Sequence, residues 1–380
     1  MDEPRRARRL KLLASSGASG RVADEIVAYD ELPYARGDEP ASIPALPLPD
    51  EPLADAWRRY VHDAKTAGVF ETLREHLVQL RFPVQAGISE TDVYRQATRR
   101  GDVDAARAFT PGLVPHRPDA FDLTVPAAMA GGVPVLVIGD RRDFVQIVQA
   151  LTCRNEPIDI PEAMGACLVK GLNNWSRVAD HRARWTAHTG ASDDAAWAAE
   201  FQRLIPQKAS YQDRLVILSQ GPYSATPASA TGLTDEVWID RSLAIRREHE
   251  LTHYFTYRIF GSMRSHVVDE LVADFVGLVR GVGEYRAGLA LRFLGLEDFP
   301  RYRAGGRLEH YRGTLSSDAF EVVQALTVHA AHNLERLATA GLPAADDLEG
   351  LGRLTLALVT STIEELSADD LPARAAEAWR

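Results

Sequence analysis

The sequence predicts a mainly helical α+β protein, with a small sheet, a pair of site-bearing helices late in the chain and a mixed α/β region before them. Three observations predict this. Apolar residues recur at helical spacing over much of the chain, short β-branched runs bounded by glycine or proline are few, and beyond Asp240 nearly everything reads as helix. With 380 residues, 46% apolar and 25% charged, the chain can bury one large core or two smaller ones, and its composition excludes a collagenous or wholly disordered polypeptide.

Residues 1–52 are polar, proline-rich and charge-segregated, running from a basic start to Leu46-Pro47-Leu48-Pro49-Asp50-Glu51-Pro52. They read as an extended arm or linker. Residues 53–205 form the mixed region. Trp57, Val61, Phe70, Leu73, Leu77 and Leu80 predict two helices broken near Gly68. Val133–Ile138 reads as a strand that turns at Gly139-Asp140 into a helix over Phe144–Leu151. That unit carries neither GxGxxG nor a P-loop lysine, so its first reading is a buried strand with its packing helix. A helix is expected from Ala163 to about Asn174, and a surface helix pair over 178–204 with Trp185 and Trp197. The third region, 206–380, opens with expected strands at Leu215–Ser219 and Glu236–Asp240.

Composition narrows the function classes. Two cysteines, Cys153 and Cys167, make no disulfide scaffold and fit a reducing compartment. The longest nearly apolar run, Val125 to Gly139, is interrupted by Pro126 and Pro134, and a membrane-spanning helix needs about 20 apolar residues. The basic start at Arg5-Arg6 is followed by Leu12-Leu13 and then Ala-Ser-Ser-Gly, without an apolar leader core, so a cytoplasmic protein is expected with no membrane partner. A net charge of −10 speaks against nucleic acid as partner. Arginine far outnumbers lysine, found only at Lys11, Lys65, Lys170 and Lys208, and with abundant alanine this is the usage of a GC-rich bacterial genome.

The chemistry concentrates in Glu248-His249-Glu250-Leu251-Thr252-His253, an HExxH in a helical stretch. Residues four apart lie one turn above each other, so His249 and His253 can share one metal ion. Glu250 sits around the helix from His249, where it can reach a metal-bound water as general base. Sixteen residues intervene between His253 and Glu270 of Asp269-Glu270-Leu271-Val272-Ala273-Asp274, also helical by its apolar spacing. A turn near Gly261-Ser262 folds this helix back, making Glu270 the third ligand, with Asp269 as the alternative. Asp274 can then accept a hydrogen bond from the non-ligating nitrogen of a ligand histidine. Two histidines and a carboxylate leave an open position, as catalytic zinc sites do.

HExxH followed by ExxAD resembles the gluzincin metallopeptidases, with ExxxD in their thermolysin branch and ExxAD in their CAAX-processing branch. The resemblance covers about residues 236–280. It implies a zincin-like domain in 206–380, Zn2+ held by His249, His253 and Glu270, Glu250 as base and Asp274 behind a ligand histidine. The interval before Glu270 is shorter than in thermolysin-like enzymes, the CAAX branch's membrane helices are missing, and Ile259 stands where metzincins have a third histidine. Gluzincins also need a donor for the developing oxyanion. Candidates are His310 and Tyr311, after the Gly305-Gly306 turn, with His266, Tyr254 and Tyr257 behind them. By analogy the Glu236–Asp240 strand would lie along the substrate. His329 and His332 read as packing or surface histidines.

The expected function is thus a zinc-dependent hydrolase, a metallopeptidase or amidase of narrow specificity acting on a peptide or small amide-containing substrate. Two alternatives stand beside it: a metal-dependent non-peptidase enzyme tailoring a small metabolite, and a non-catalytic binding protein on a zincin scaffold. Oligomeric state is not legible in the sequence.

Overall fold

The computed structural model describes residues 3–31, 44–107, 109, 112–261 and 266–379. The helices α1 (Glu3–Ser15), α2 (Gly20–Tyr29), α3 (Ala54–Ala67), α4 (Val69–His76), α5 (Asp92–Arg100) and α6 (Val103–Arg107) precede the first strands. Then come β1 (Phe121–Thr124), β2 (Ala127–Ala128), β3 (Gly131–Gly132), β4 (Val135–Ile138), α7 (Arg141–Thr152), β5 (Ala166–Asn173), α8 (Trp175–Thr189), α9 (Asp194–Leu204) and β6 (Gln212–Ser219). The rest is helical: α10 (Asp235–Phe260), α11 (Val267–Val282), α12 (Ala287–Leu294), α13 (Ser317–Ala340), α14 (Leu348–Val359), α15 (Ile363–Leu366) and α16 (Leu371–Trp379). The protein is therefore mainly helical α+β, as the sequence predicts.

Contacts divide the described residues into two compact units, a sheet unit (50–127 and 131–220) and a helical unit (1–49, 128–130 and 221–380). In the sheet unit the strand order is β1-β4-β6-β5. β4 and β6 run parallel, with Val135 opposite Val216, while β1 and β5 flank them antiparallel. The continuous apolar runs of β4 and β6 mark strands covered on both faces. Trp57, Phe70, Leu73, Phe144, Ile147 and Ile217 are among the residues that fill the core around them. The predicted helix pair broken at Gly68 is α3–α4, and the predicted strand–turn–helix is β4–α7, capped by the Asp140 side chain accepting from the Asp143 N–H at 3.1 Å.

In the helical unit the long α10 packs along α11, α2 packs on α13, and α1 on α15. Gly277 and Gly281 lie against α10: a Cβ at Gly277 would meet the Ile245 carbonyl oxygen at 3.0 Å, and one at Gly281 the Ile245 nitrogen at 2.7 Å. Absent side chains, one helical turn apart, let the two backbones approach this closely.

Three expectations are corrected. Residues 3–29 are not an extended arm but the helices α1 and α2, because Ala23, Ile26 and Val27 form a buried helical face and Arg9 is buried on Glu364 and the Val27 carbonyl. Residues 32–43 of the expected arm lie outside the described residues. Glu236–Asp240 is no strand but the first turns of α10: Thr234 caps the helix, Asp235 and Glu236 occupy its first turn, and buried Trp238 donates to the Thr226 carbonyl at 2.7 Å. A short β-branched run does not by itself distinguish strand from buried helix. The helix expected from Ala163 is strand β5, drawn into the sheet by antiparallel pairing with β6. Since β6 belongs to that sheet, residues 206–220 pack with the sheet unit rather than with the region after them.

Candidate metal centre

The centre lies within the helical unit. HExxH occupies the middle of α10, and ExxAD the first turns of α11. Gly261, with φ 70°, closes α10 in the left-handed region that glycine tolerates, and His266 caps α11. Ser262 of the predicted turn lies outside the described residues.

The buried His249, His253 and Glu270 converge as a group able to hold a metal ion. The two Nε2 atoms stand 3.1 Å apart. Glu270 Oε2 is 3.5 Å from His249 Nε2, and its Oε1 is 3.5 Å from His253 Nε2. A tetrahedral ion with ligands at about 2.0–2.1 Å has edges of about 3.3–3.4 Å, so the three side chains fit one. Asp269, the alternative ligand, is buried on α11 but does not belong to the group.

Hydrogen bonding orients these donors. Asp274 Oδ1 is 3.0 Å from His249 Nδ1 and accepts the Tyr223 hydroxyl proton at 2.6 Å. The Nδ1–H of His249 therefore faces a carboxylate, so the neutral ring presents its Nε2 lone pair to the centre. The Tyr223 oxygen also lies 2.8 Å from His249 Nδ1. Arg307 donates to Asp274 Oδ2, to Tyr223 Oη at 3.1 Å and to Ser224 Oγ at 2.9 Å. Tyr311 donates its hydroxyl proton to Glu270 Oε2 at 2.9 Å.

Burial on its own lowers the pKa of His249, but its contacts with Asp274 and Glu270 outweigh burial and raise it to about 9. Burial raises both carboxylates, yet His253 and His249 hold Glu270 well below the usual range, and Arg307 and His249 do the same more mildly for Asp274. Without a metal, Asp274 and Glu270 thus hold a proton on His249 more tightly than a free imidazole would.

Glu250 is half-buried beside His249, one helical turn from Arg246, whose charge it supports. Of the donor candidates, Tyr311 is buried on Glu270, whereas His310 is exposed on the same 3-10 turn, Arg307–Tyr311. His266 faces Asp30 and stacks near Tyr29, Tyr254 is buried and Tyr257 half-buried. His329 and His332 are exposed on α13, as expected of surface histidines. Sequence reasoning missed Tyr223 and Arg307. The glycine pair before residue 307 pointed to the right turn but favoured its histidine and tyrosine, and nothing local marks Tyr223.

A family model described as a family of unknown function, DUF7005, matches residues 11–370, and the chain belongs to that family. No curated protein and no solved structure matches the chain.

Proposed function

We propose that this DUF7005 protein is a zinc-dependent hydrolase of amide bonds, a peptidase or amidase of narrow specificity. The observation that carries the reading is the convergence of His249, His253 and Glu270 with donor spacings of 3.1–3.5 Å, beside a half-buried Glu250 on the same helix. Held by those three side chains, a divalent ion would supply a Lewis acid for a carbonyl oxygen and acidify a water. Glu250 accepts the proton of the attacking water and passes it to the leaving amine, the work of a general base turned general acid. Asp274 keeps His249 in the tautomer that presents Nε2. Tyr311 fixes the rotamer of Glu270 through its hydroxyl.

The test is metal analysis of the purified protein together with a cleavage screen on a peptide library and a panel of small amides. About one zinc per chain is expected in both wild type and Glu250→Gln, with cleavage reduced by roughly 10²–10⁴-fold in the variant. Metal-loaded wild type that cleaves neither class, or cleavage indifferent to Glu250→Gln, would overturn the hydrolase reading.

A further inference from the structure

The short turn Arg307–Tyr311 reaches two of the carboxylates of α11, Glu270 and Asp274. Arg307 holds Asp274, and Tyr311 holds Glu270, one helical turn before it. The turn is itself pinned. Tyr302 Oη donates to the Gly306 carbonyl at 2.6 Å and accepts from the Glu309 N–H at 3.0 Å. Gly306 sits where a Cβ would lie 2.7 Å from the Leu294 carbonyl oxygen, so the turn is seated on the end of α12 with no room for a side chain. From the other side, Tyr29 of α2 donates to the Tyr311 carbonyl at 2.6 Å.

We infer that this turn is a two-pronged clamp: Arg307 and Tyr311 are positioning residues that set the metal centre by fixing the carboxylate behind His249 and the carboxylate ligand itself. The inference rests on the metal-binding part of the proposal above. The physical reasons differ for the two prongs. A carboxylate at Glu270 freed from Tyr311 can rotate both oxygens away from the histidine nitrogens. Asp274 without Arg307 loses the donor on its Oδ2, leaving a buried anion with Tyr223 and His249 alone to hold it. Tyr29 extends the clamp to the N-terminal helices, because its hydroxyl fixes the backbone from which the Tyr311 ring projects.

The test is titration of the metal-free protein with Zn2+ and, separately, the visible spectrum of the Co2+-loaded protein. The variants are Arg307→Gln, Arg307→Lys, Tyr311→Phe and Tyr29→Phe, with far-ultraviolet circular dichroism as the fold check. Arg307→Gln and Tyr311→Phe should bind Zn2+ roughly 10–100-fold more weakly and change the Co2+ bands. Arg307→Lys, which keeps the charge towards Asp274 but not the fork, should recover part of the loss. Tyr29→Phe should give a smaller change of the same kind. Folded variants with wild-type affinity and unchanged Co2+ bands would overturn the clamp while leaving the metal centre intact. Failure of the wild type to bind either ion would overturn the metal centre and the clamp with it.

Discussion

Each unit buries a polar cluster around an acidic residue, and the two clusters are built on opposite rules. In the sheet unit, Asp213 is fully buried and every contact pairs a donor with an acceptor. Arg177 reaches one oxygen at 2.5 Å, while Trp57 Nε1 and Asn174 Nδ2 reach the other at 2.8 and 2.7 Å. Arg177 also donates to the Ala209 and Gln212 carbonyls, and Asn174 to Tyr60. That cluster is closed. In the helical unit, two imidazole nitrogens and a carboxylate face one another, and the supporting partners Tyr223, Asp274, Arg307 and Tyr311 stand behind them. Lone pairs directed at a common point call for a cation; paired donors and acceptors do not. Burial alone does not separate a closed polar cluster from one able to hold a metal ion, whereas the direction of the donor atoms does.

The contrast is broken most directly at its acidic residues. Asp213→Ala leaves Arg177 buried without its counter-ion, and the expected loss is about 3–5 kcal/mol in urea unfolding. Glu270→Ala should cost less stability in metal-free protein, since Asp274 remains to pair with His249, but should abolish stoichiometric zinc in metal analysis. Equal destabilisation by both variants would erase the distinction drawn here.

Metal supply should act on one cluster only. At a free Zn2+ concentration 100-fold above its Kd, wild type should gain about 2.7 kcal/mol of stability, and a chelator should remove it. Asp213→Asn should keep that increment and Glu270→Ala should lose it, measured as the shift in melting temperature with and without zinc.

Helix spacing is a finer probe. Gly281→Ala places a methyl 2.7 Å from the Ile245 nitrogen and must push α11 from α10, at an expected cost of about 1–3 kcal/mol, with weaker zinc binding. A variant as stable as wild type and with unchanged zinc affinity would show that the ligand spacing does not depend on this close approach.

The smallest effect is that of a single unit of pH. His249 must be neutral to ligate, and in the metal-free protein it holds its proton up to about pH 9. Zinc affinity should therefore rise by up to about tenfold per pH unit as the pH climbs towards that value, then level off. Equal Kd values at pH 7 and 8 would show that His249 does not hold the proton displaced by zinc.

Much of this was legible in sequence. Helical spacing identified α3, α4, α7 and the run of helices after Asp240, and the i, i+4 histidines with a carboxylate on the next helix named the three residues that converge. These are local properties: a helix repeats every 3.6 residues wherever it lies, so spacing alone places His249 above His253. The second strand and the arm failed for the opposite reason. Val237-Trp238-Ile239 and the polar first 30 residues have no fixed local preference, and capping at Thr234 and burial against α13 and α15 settled them. Tyr223 and Arg307 could come only from the tertiary structure. They lie 26 residues before His249 and 33 after Asp274, separations that carry no periodic signal. Sequence determined which side chains can ligate, because that follows from residue type and helix geometry. The fold decided which groups orient and charge them, because that depends on which distant segments packing brings to the same point.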